Sequence, residues 1–381
     1  MILYLSKPFI SFFIDLLNYS ILITIYFILF KKKIINKKDL FLYSLFSFTP
    51  FLINDVLIPN HVFWDQNRYI ITANEIRSNW LSGNFLPPTS DTFTVTFSAW
   101  LYTFFPITSF HTINGIAFAN KGIYCLTLIY INNKIKINNL LKIILLSTPT
   151  IILYSSLSLR DILILALMIL SIFLIVNEKK YFFGFITLLI LFLIKPQNGA
   201  ICFVSIVSFL VFVKYLKKNI TITLFSSIIL LLTIFYFNDQ FLFEKINFYR
   251  RGFYLEQHFD YSDLIAVKYY NNFFSIGYNF YTLKILLLGT LNFLVAPLFS
   301  IENFFHLVSS IESLFLIIVY IFFFYHQFLI DKRLTIFWLC LFFGSIILYA
   351  LFPFNDNTVV RYRFPISIFF LMSSFLTTKF R

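Results

Sequence analysis

Continuous apolar runs separated by short, lysine-bearing polar turns fill most of this chain. The longer runs reach roughly 17–22 residues, the length at which a helix spans the hydrocarbon core of a bilayer. Runs predicted to cross lie at about residues 9–30, 40–58, 113–131, 140–156, 162–176, 181–194, 200–213, 220–237, 314–330, 334–351 and 366–376. A further run at 285–300 contains Pro297 and is predicted to be re-entrant or interfacial. That placement keeps the next basic turn, Asp331-Lys332-Arg333, on the same side as the other lysines. Segment 93–105 is amphipathic, stops at Pro106 and is expected to lie along the membrane surface. The predicted fold is an all-α polytopic integral membrane protein. It forms a single transmembrane domain over 1–381, with about eleven helices and one re-entrant or interfacial segment.

Composition narrows the class further. Hydrophobic residues make up 59% of the chain and charged residues only 12%. A soluble domain carries about 25% charged residues, so a water-soluble enzyme and a disordered chain are both excluded. An outer-membrane barrel is excluded too, because its strands alternate apolar and polar positions. The abundance of Phe, Ile, Asn and Lys reads as drift toward AT-rich codons. The net charge of +13 is spread over short turns between apolar runs, so it points to topology and not to nucleic acid. Cys125, Cys202 and Cys340 lie inside apolar runs and read as small buried hydrophobes.

Basic turns orient the chain by the positive-inside rule. Lys31, Lys32, Lys33, Lys37 and Lys38 follow the first run and should face the cytoplasm, which leaves the N-terminus outside and the C-terminus inside. Arginine does not follow lysine. Seven of the nine arginines fall outward: Arg68, Arg77, Arg160, Arg250, Arg251, Arg361 and Arg363. AT-rich drift should replace Arg by Lys wherever only charge matters. Arg should persist where its planar fork matters, chiefly on phosphate or carboxylate.

The outward side also carries two long polar stretches, 59–107 and 238–282, which look folded because they hold aromatics and charges with few Gly or Ser. The first contains His61, Trp64, Asp65, Arg68, Tyr69, Glu75, Arg77 and Trp80. Asp65 and Tyr69 are four apart and would share a helix face. Asp65 reads either as a general base on a sugar hydroxyl or as an N-terminal carboxylate stabilised by the helix dipole. Arg160-Asp161 reads either as an ion pair or as an arginine that binds phosphate at the membrane boundary. Lys195 and Gln197 sit at another outward turn, beside Pro196. The second stretch offers Arg250-Arg251 for an anion, tyrosines such as Tyr254, Tyr261, Tyr269, Tyr270 and Tyr278 for stacking on sugars, and His258. His258 with Glu256 and Asp260 matches no strong metal motif. In the last outward loop, Arg361 and Arg363 would point the same way if the stretch is extended, forming a two-pronged anion clamp. No phosphate loop, nucleotide fold, zinc motif or serine–histidine arrangement appears, so no cofactor and no metal is expected.

Residues Asp65 to Tyr69 after an early helix, Ser158 to Asp161, Lys195-Pro196-Gln197, and Arg361 to Pro365 before the final helix together resemble the O-antigen and polysaccharide repeat-unit polymerases. Those belong to the wider class of multi-helix glycosyltransferases that use lipid-phosphate donors. The resemblance covers the whole chain in architecture and has low motif specificity. It implies a multi-pass protein of the bacterial inner membrane with a periplasmic active site. It also implies a donor glycan linked to undecaprenyl pyrophosphate, a role for the arginines on that pyrophosphate, and a chain-length regulator as partner. The second stretch is modest for a polymerase, which leaves a transferase of single sugars open. A flippase of the lipid-linked unit is the non-enzymatic alternative.

Overall fold

The computed structural model of the 381-residue chain describes residues 8–57, 65–84, 92–107, 110, 112–215, 239–258, 270–271, 274–277, 279–297, 304–351 and 356–378. Among these residues the only regular elements are helices. The chain divides into two compact units, Met1–Cys202 and Phe203–Arg381.

The N-terminal unit contains α1 (Pro8–Lys31), α2 (Lys37–Leu57, ending in a π-helical turn), α3 (Asp65–Leu81) and α4 (Phe93–Thr103). It continues with α5 (Asn114–Lys134), α6 (Asn139–Ser147), α7 (Pro149–Ser156), α8 (Asp161–Asn177, again ending in a π-helical turn) and α9 (Tyr181–Ile194). Helix α10 (Pro196–Tyr215) carries the boundary between the units. The C-terminal unit contains α11 (Asp239–His258), α12 (Phe280–Val295), α13 (Phe304–Ile330), α14 (Lys332–Ala350) and α15 (Asp356–Thr378).

Buried polar side chains and exposed large apolar ones occur on the same helices. On α1, Asp15 and Asn18 are buried while Phe9, Phe12, Phe13 and Leu17 are exposed. On α13, Glu312 and Ser313 are buried while Ile318, Ile321 and Phe322 are exposed. Apolar patches of this size do not face water in a monomeric soluble protein, whereas polar contacts between helices are what bilayer packing favours. Among the described residues, five helices are long and apolar enough to cross: Phe9–Lys31, Lys37–Leu57, His306–Ile330, Lys332–Ala350 and Val359–Thr377. The chain is therefore an α-helical membrane protein. A sixth span exists if α7 and α8, bent by 114° at their junction, count as one. The run at 220–237 lies outside the described residues.

Several elements differ from the sequence expectation, each for a visible reason. The run at 140–156 forms two helices because Pro149 starts α7 as its first residue, and Thr148 is pushed to extended geometry (φ −60°, ψ 122°). The segment at 93–105 does not merely rest on a surface: Ala99 and Tyr102 of α4 are fully buried. The stretch before the last apolar run is helical from Asp356 onward, with Pro365 inside α15. Asparagine and aspartate caps start many of these helices. Asn36 accepts from the Asp39 amide, Asn138 from Leu141, Asn279 from Thr282, and Asp331 from Arg333 and Leu334.

One ion pair is sealed inside the N-terminal unit. Lys142 Nζ lies 2.7 Å from Asp39 Oδ1, and both side chains are buried. Removing one partner of such a pair strands the other charge and costs about 3–5 kcal/mol, whereas replacing both by apolar groups is often neutral. Asp39→Asn should therefore lower the apparent melting temperature of the detergent-purified protein. The double change Asp39→Leu with Lys142→Met should recover most of the loss. Equal loss in the single and double variants would show that the charges are not acting as a pair.

Candidate functional site

The α7–α8 junction is the most unusual local structure in the N-terminal unit. Leu157, Ser158 and Leu159 leave helical geometry yet are fully buried, and Asp161 is nearly so. The sequence reading placed this turn at an outward surface. Buried non-helical backbone must find hydrogen-bond partners, and side chains from four helices supply them. Asn120 Nδ2 donates to Leu157 O (2.9 Å) and Leu159 O (2.7 Å). Tyr102 Oη donates to Leu159 O (2.9 Å) and to Asn120 Oδ1 (2.6 Å). Gln66 Oε1 accepts from the Ser158 amide (2.6 Å), and Asn54 Nδ2 donates to Ser156 O (2.7 Å). Ser158 Oγ donates to Ile113 O.

These bonds bring two of the predicted clusters together. Gln66 sits in the first turn of α3, next to Asp65 and on the buried side shared with Tyr69. Its bond to Ser158 fastens that turn to the junction, two residues before Arg160. Asp65 is about half exposed, and its Oδ1 lies 3.8 Å from Arg68 Nη1. Tyr69, Asp161 and Arg160 all lie within electrostatic reach of the Tyr102 hydroxyl. Burial pushes that phenol well above the usual tyrosine range, with Tyr69 and Asp161 adding to the shift and Arg160 opposing it. Tyr102 therefore stays a neutral donor. Arg160 forms the N-cap of α8 and is partly buried, and its Nη1 is buried without a hydrogen-bond partner. The helix N-terminus and the guanidinium put two sources of positive potential in one place.

Three other arginines have a different task, which sequence reasoning missed. Arg77 donates to Ile107 O (2.9 Å), Phe105 O (3.2 Å) and Thr103 O (3.3 Å), at the end of α4, with its guanidinium 4.1 Å from the Phe110 ring centre. In the C-terminal unit, Arg363 is 4% exposed. It donates to Leu294 O (2.9 Å), Ala296 O (2.9 Å) and Phe293 O (3.4 Å) at the end of α12, and to Ser313 Oγ (2.7 Å). Arg250, 2% exposed, donates to Leu351 O (3.1 Å) at the end of α14 and to Tyr281 Oη (3.1 Å). Each guanidinium reaches one or more carbonyls at or just beyond a helix C-terminus, where the helix itself supplies no amide. The acceptors in these three cases are backbone carbonyls together with the hydroxyls of Tyr281 and Ser313, not a phosphate or carboxylate.

The remaining predicted residues fall as follows. Arg361 and Arg363 are two apart on α15, so they project from different faces; Arg361 is half-buried. They do not form the two-pronged clamp that an extended strand would make. Arg251 is half-buried beside Arg250 on α11, and His258 ends that helix. Tyr254 and Tyr270 are buried against Phe274 and serve as core, not as an open sugar platform. Lys195 and Gln197 are partly buried in the N-terminal unit where α9 passes into α10. His61, Trp64, Asp260, Tyr261, Tyr269 and Tyr278 lie outside the described residues. Among the described residues, no group of three or more His, Cys, Asp or Glu side chains is placed to hold a metal.

A second polar cluster adjoins the junction, with Asp15, Asn114 and Thr112 buried and Asp55 at its exposed edge. Asn114 Nδ2 donates to Asp15 Oδ2 (2.9 Å) and lies 3.2 Å from Asp55 Oδ1, while Thr112 donates to Asp15. Lys121 Nζ is fully buried, 2.6 Å from Ser155 Oγ and 3.6 Å from the Phe46 ring centre.

The two kinds of arginine should separate by stability. Arg363→Ala strips three carbonyls of a buried donor and should cost about 2–3 kcal/mol, read as a fall in apparent melting temperature. Arg160→Ala should change stability by no more than about 0.5 kcal/mol. The reverse ranking would contradict these assignments. No protein-family model, no curated protein and no solved structure matches this chain.

Proposed function

We propose that the protein is a membrane glycosyltransferase acting on a lipid-diphosphate-linked glycan, and specifically a polymerase of oligosaccharide repeat units. The observation that carries this reading is the Arg160 guanidinium, held at the N-terminus of α8 with a buried donor that has no hydrogen-bond partner among the described residues. A diphosphate fits both its charge and its fork geometry. The donor is already activated, which suits a chain whose connecting turns are short.

In the proposed step, an acceptor sugar hydroxyl attacks the anomeric carbon of the donor. The new carbon–oxygen bond forms as the bond to the diphosphate breaks. The hydroxyl proton passes to Asp65, and the electron pair leaves with the diphosphate. Charge grows on that leaving group, so Arg160 and the α8 N-terminus bind the transition state more tightly than the ground state. Arg68 Nη1, 3.8 Å from Asp65 Oδ1, would help orient that carboxylate toward the acceptor hydroxyl. Arg250 and Arg363, predicted as further diphosphate ligands, instead direct donors to backbone carbonyls within the C-terminal unit. On this reading the active site faces the periplasm of a bacterial inner membrane, the donor lipid is undecaprenyl pyrophosphate, and a chain-length regulator is the expected partner. A transferase that adds one sugar from a polyprenyl-phosphate donor would use the same site.

The buried Asp15, Asn114 and Lys121 favour a second reading, a flippase of the lipid-linked unit, because ionisable groups among membrane helices commonly mark transport pathways. The product distinguishes the readings. In the cells that make this protein, Asp65→Asn and Arg160→Ala should each leave surface glycan at one repeat unit while protein levels stay normal. Full-length glycan ladders from both variants would overturn the polymerase reading, and loss of even the single unit from the cell surface would favour the flippase.

A further inference from the structure

At the lysine-rich end of the N-terminal unit, a cavity of about 910 Å³ opens between the α1–α2 turn and the α5–α6 turn. Five lysines line it: Lys31, Lys33, Lys37, Lys136 and Lys142. The single carboxylate in the lining is Asp39, which is buried and already held by Lys142 at 2.7 Å. The other four ammonium groups have no carboxylate among the lining residues.

Backbone adds to the same field. Helix α2 starts at Lys37 and α6 starts at Asn139, and both of these residues line the cavity. The caps Asn36 and Asn138 satisfy one amide each, those of Asp39 and Leu141. The earlier amides of both first turns are left to other partners. Two positive helix ends and four lysines with no carboxylate beside them in the lining thus border one concave space, an arrangement that focuses positive potential.

We infer that this cavity binds a phosphate-bearing anion, either the headgroup of an acidic phospholipid or a free phosphate or diphosphate. The site is separate from the α7–α8 junction. From Asp39 at the cavity to Asn54 at the junction, α2 rises about 22 Å. The inference does not depend on the glycosyltransferase reading, because it rests on a different end of the unit.

The test is native mass spectrometry of the full chain in detergent, with phosphatidylglycerol, phosphatidylcholine or inorganic diphosphate added in turn. The site variant is Lys33→Glu with Lys136→Glu, two exposed residues of the lining. The control is Lys32→Glu with Lys134→Glu, which makes the same change in net charge at exposed positions outside the lining. The inference predicts saturable retention of phosphatidylglycerol or of diphosphate, weakened at least about tenfold in the site variant and less than about twofold in the control. Loss with phosphatidylglycerol assigns a lipid headgroup; loss with diphosphate alone assigns a free anion. Equal weakening in both variants, no weakening in either, or equal retention of phosphatidylcholine would overturn it.

Discussion

A carbonyl at the end of a helix buried in an apolar medium has no water to turn to, and each one left without a donor costs about 1–3 kcal/mol. This chain interrupts its helices in buried positions several times, so the constraint recurs through both units. Two solutions appear. At the α7–α8 junction, neutral side chains from neighbouring helices saturate the backbone, with Asn120 and Tyr102 serving two groups each. At the ends of α4, α12 and α14, one arginine covers the exposed carbonyls. A guanidinium suits this role because its fork reaches several acceptors at once and it stays charged when buried.

That division gives the arginines their meaning. The lysine-based topology expects seven of them on one side and offers phosphate or carboxylate as the reason to retain them. Burial and bonding sort them further. Arg77, Arg250 and Arg363 complete helix ends, and Arg68 faces Asp65. Arg160 and Arg250 each keep one buried donor without a hydrogen-bond partner among the described residues, Nη1 and Nε respectively, but only Arg160 sits at the N-terminus of a helix and makes no carbonyl bond of the kind Arg250 makes to Leu351. The same junction that requires so many internal bonds also fixes Arg160 and the first turn of α3, through Gln66, in one neighbourhood.

Sequence patterning revealed the apolar helices because hydrophobicity reports directly on contact with lipid. Helices α1, α2 and α14 begin and end close to where the apolar runs do. It failed where polar or special residues decide. Pro149 marked the α6–α7 break, but the surrounding run was apolar enough to read as one helix. The helical start of α15 at Asp356 was hidden because hydropathy marks only the lipid-facing part of a helix, and Pro365 suggested a boundary that the helix overrides. The link from Gln66 to Ser158 spans 92 residues and has no local signature. Asn120 and Lys121 did carry a signal, as polar residues inside an apolar run that had to be buried against partners.

The most direct test of the account is equilibrium binding of a soluble isoprenyl diphosphate to the purified protein. It should be made in the Lys33→Glu, Lys136→Glu background, so that the lysine cavity contributes nothing. The account predicts saturable binding that disappears when Arg160 is also replaced by alanine and survives when Arg77 is replaced by lysine. Binding of equal strength with and without the Arg160 guanidinium would contradict it.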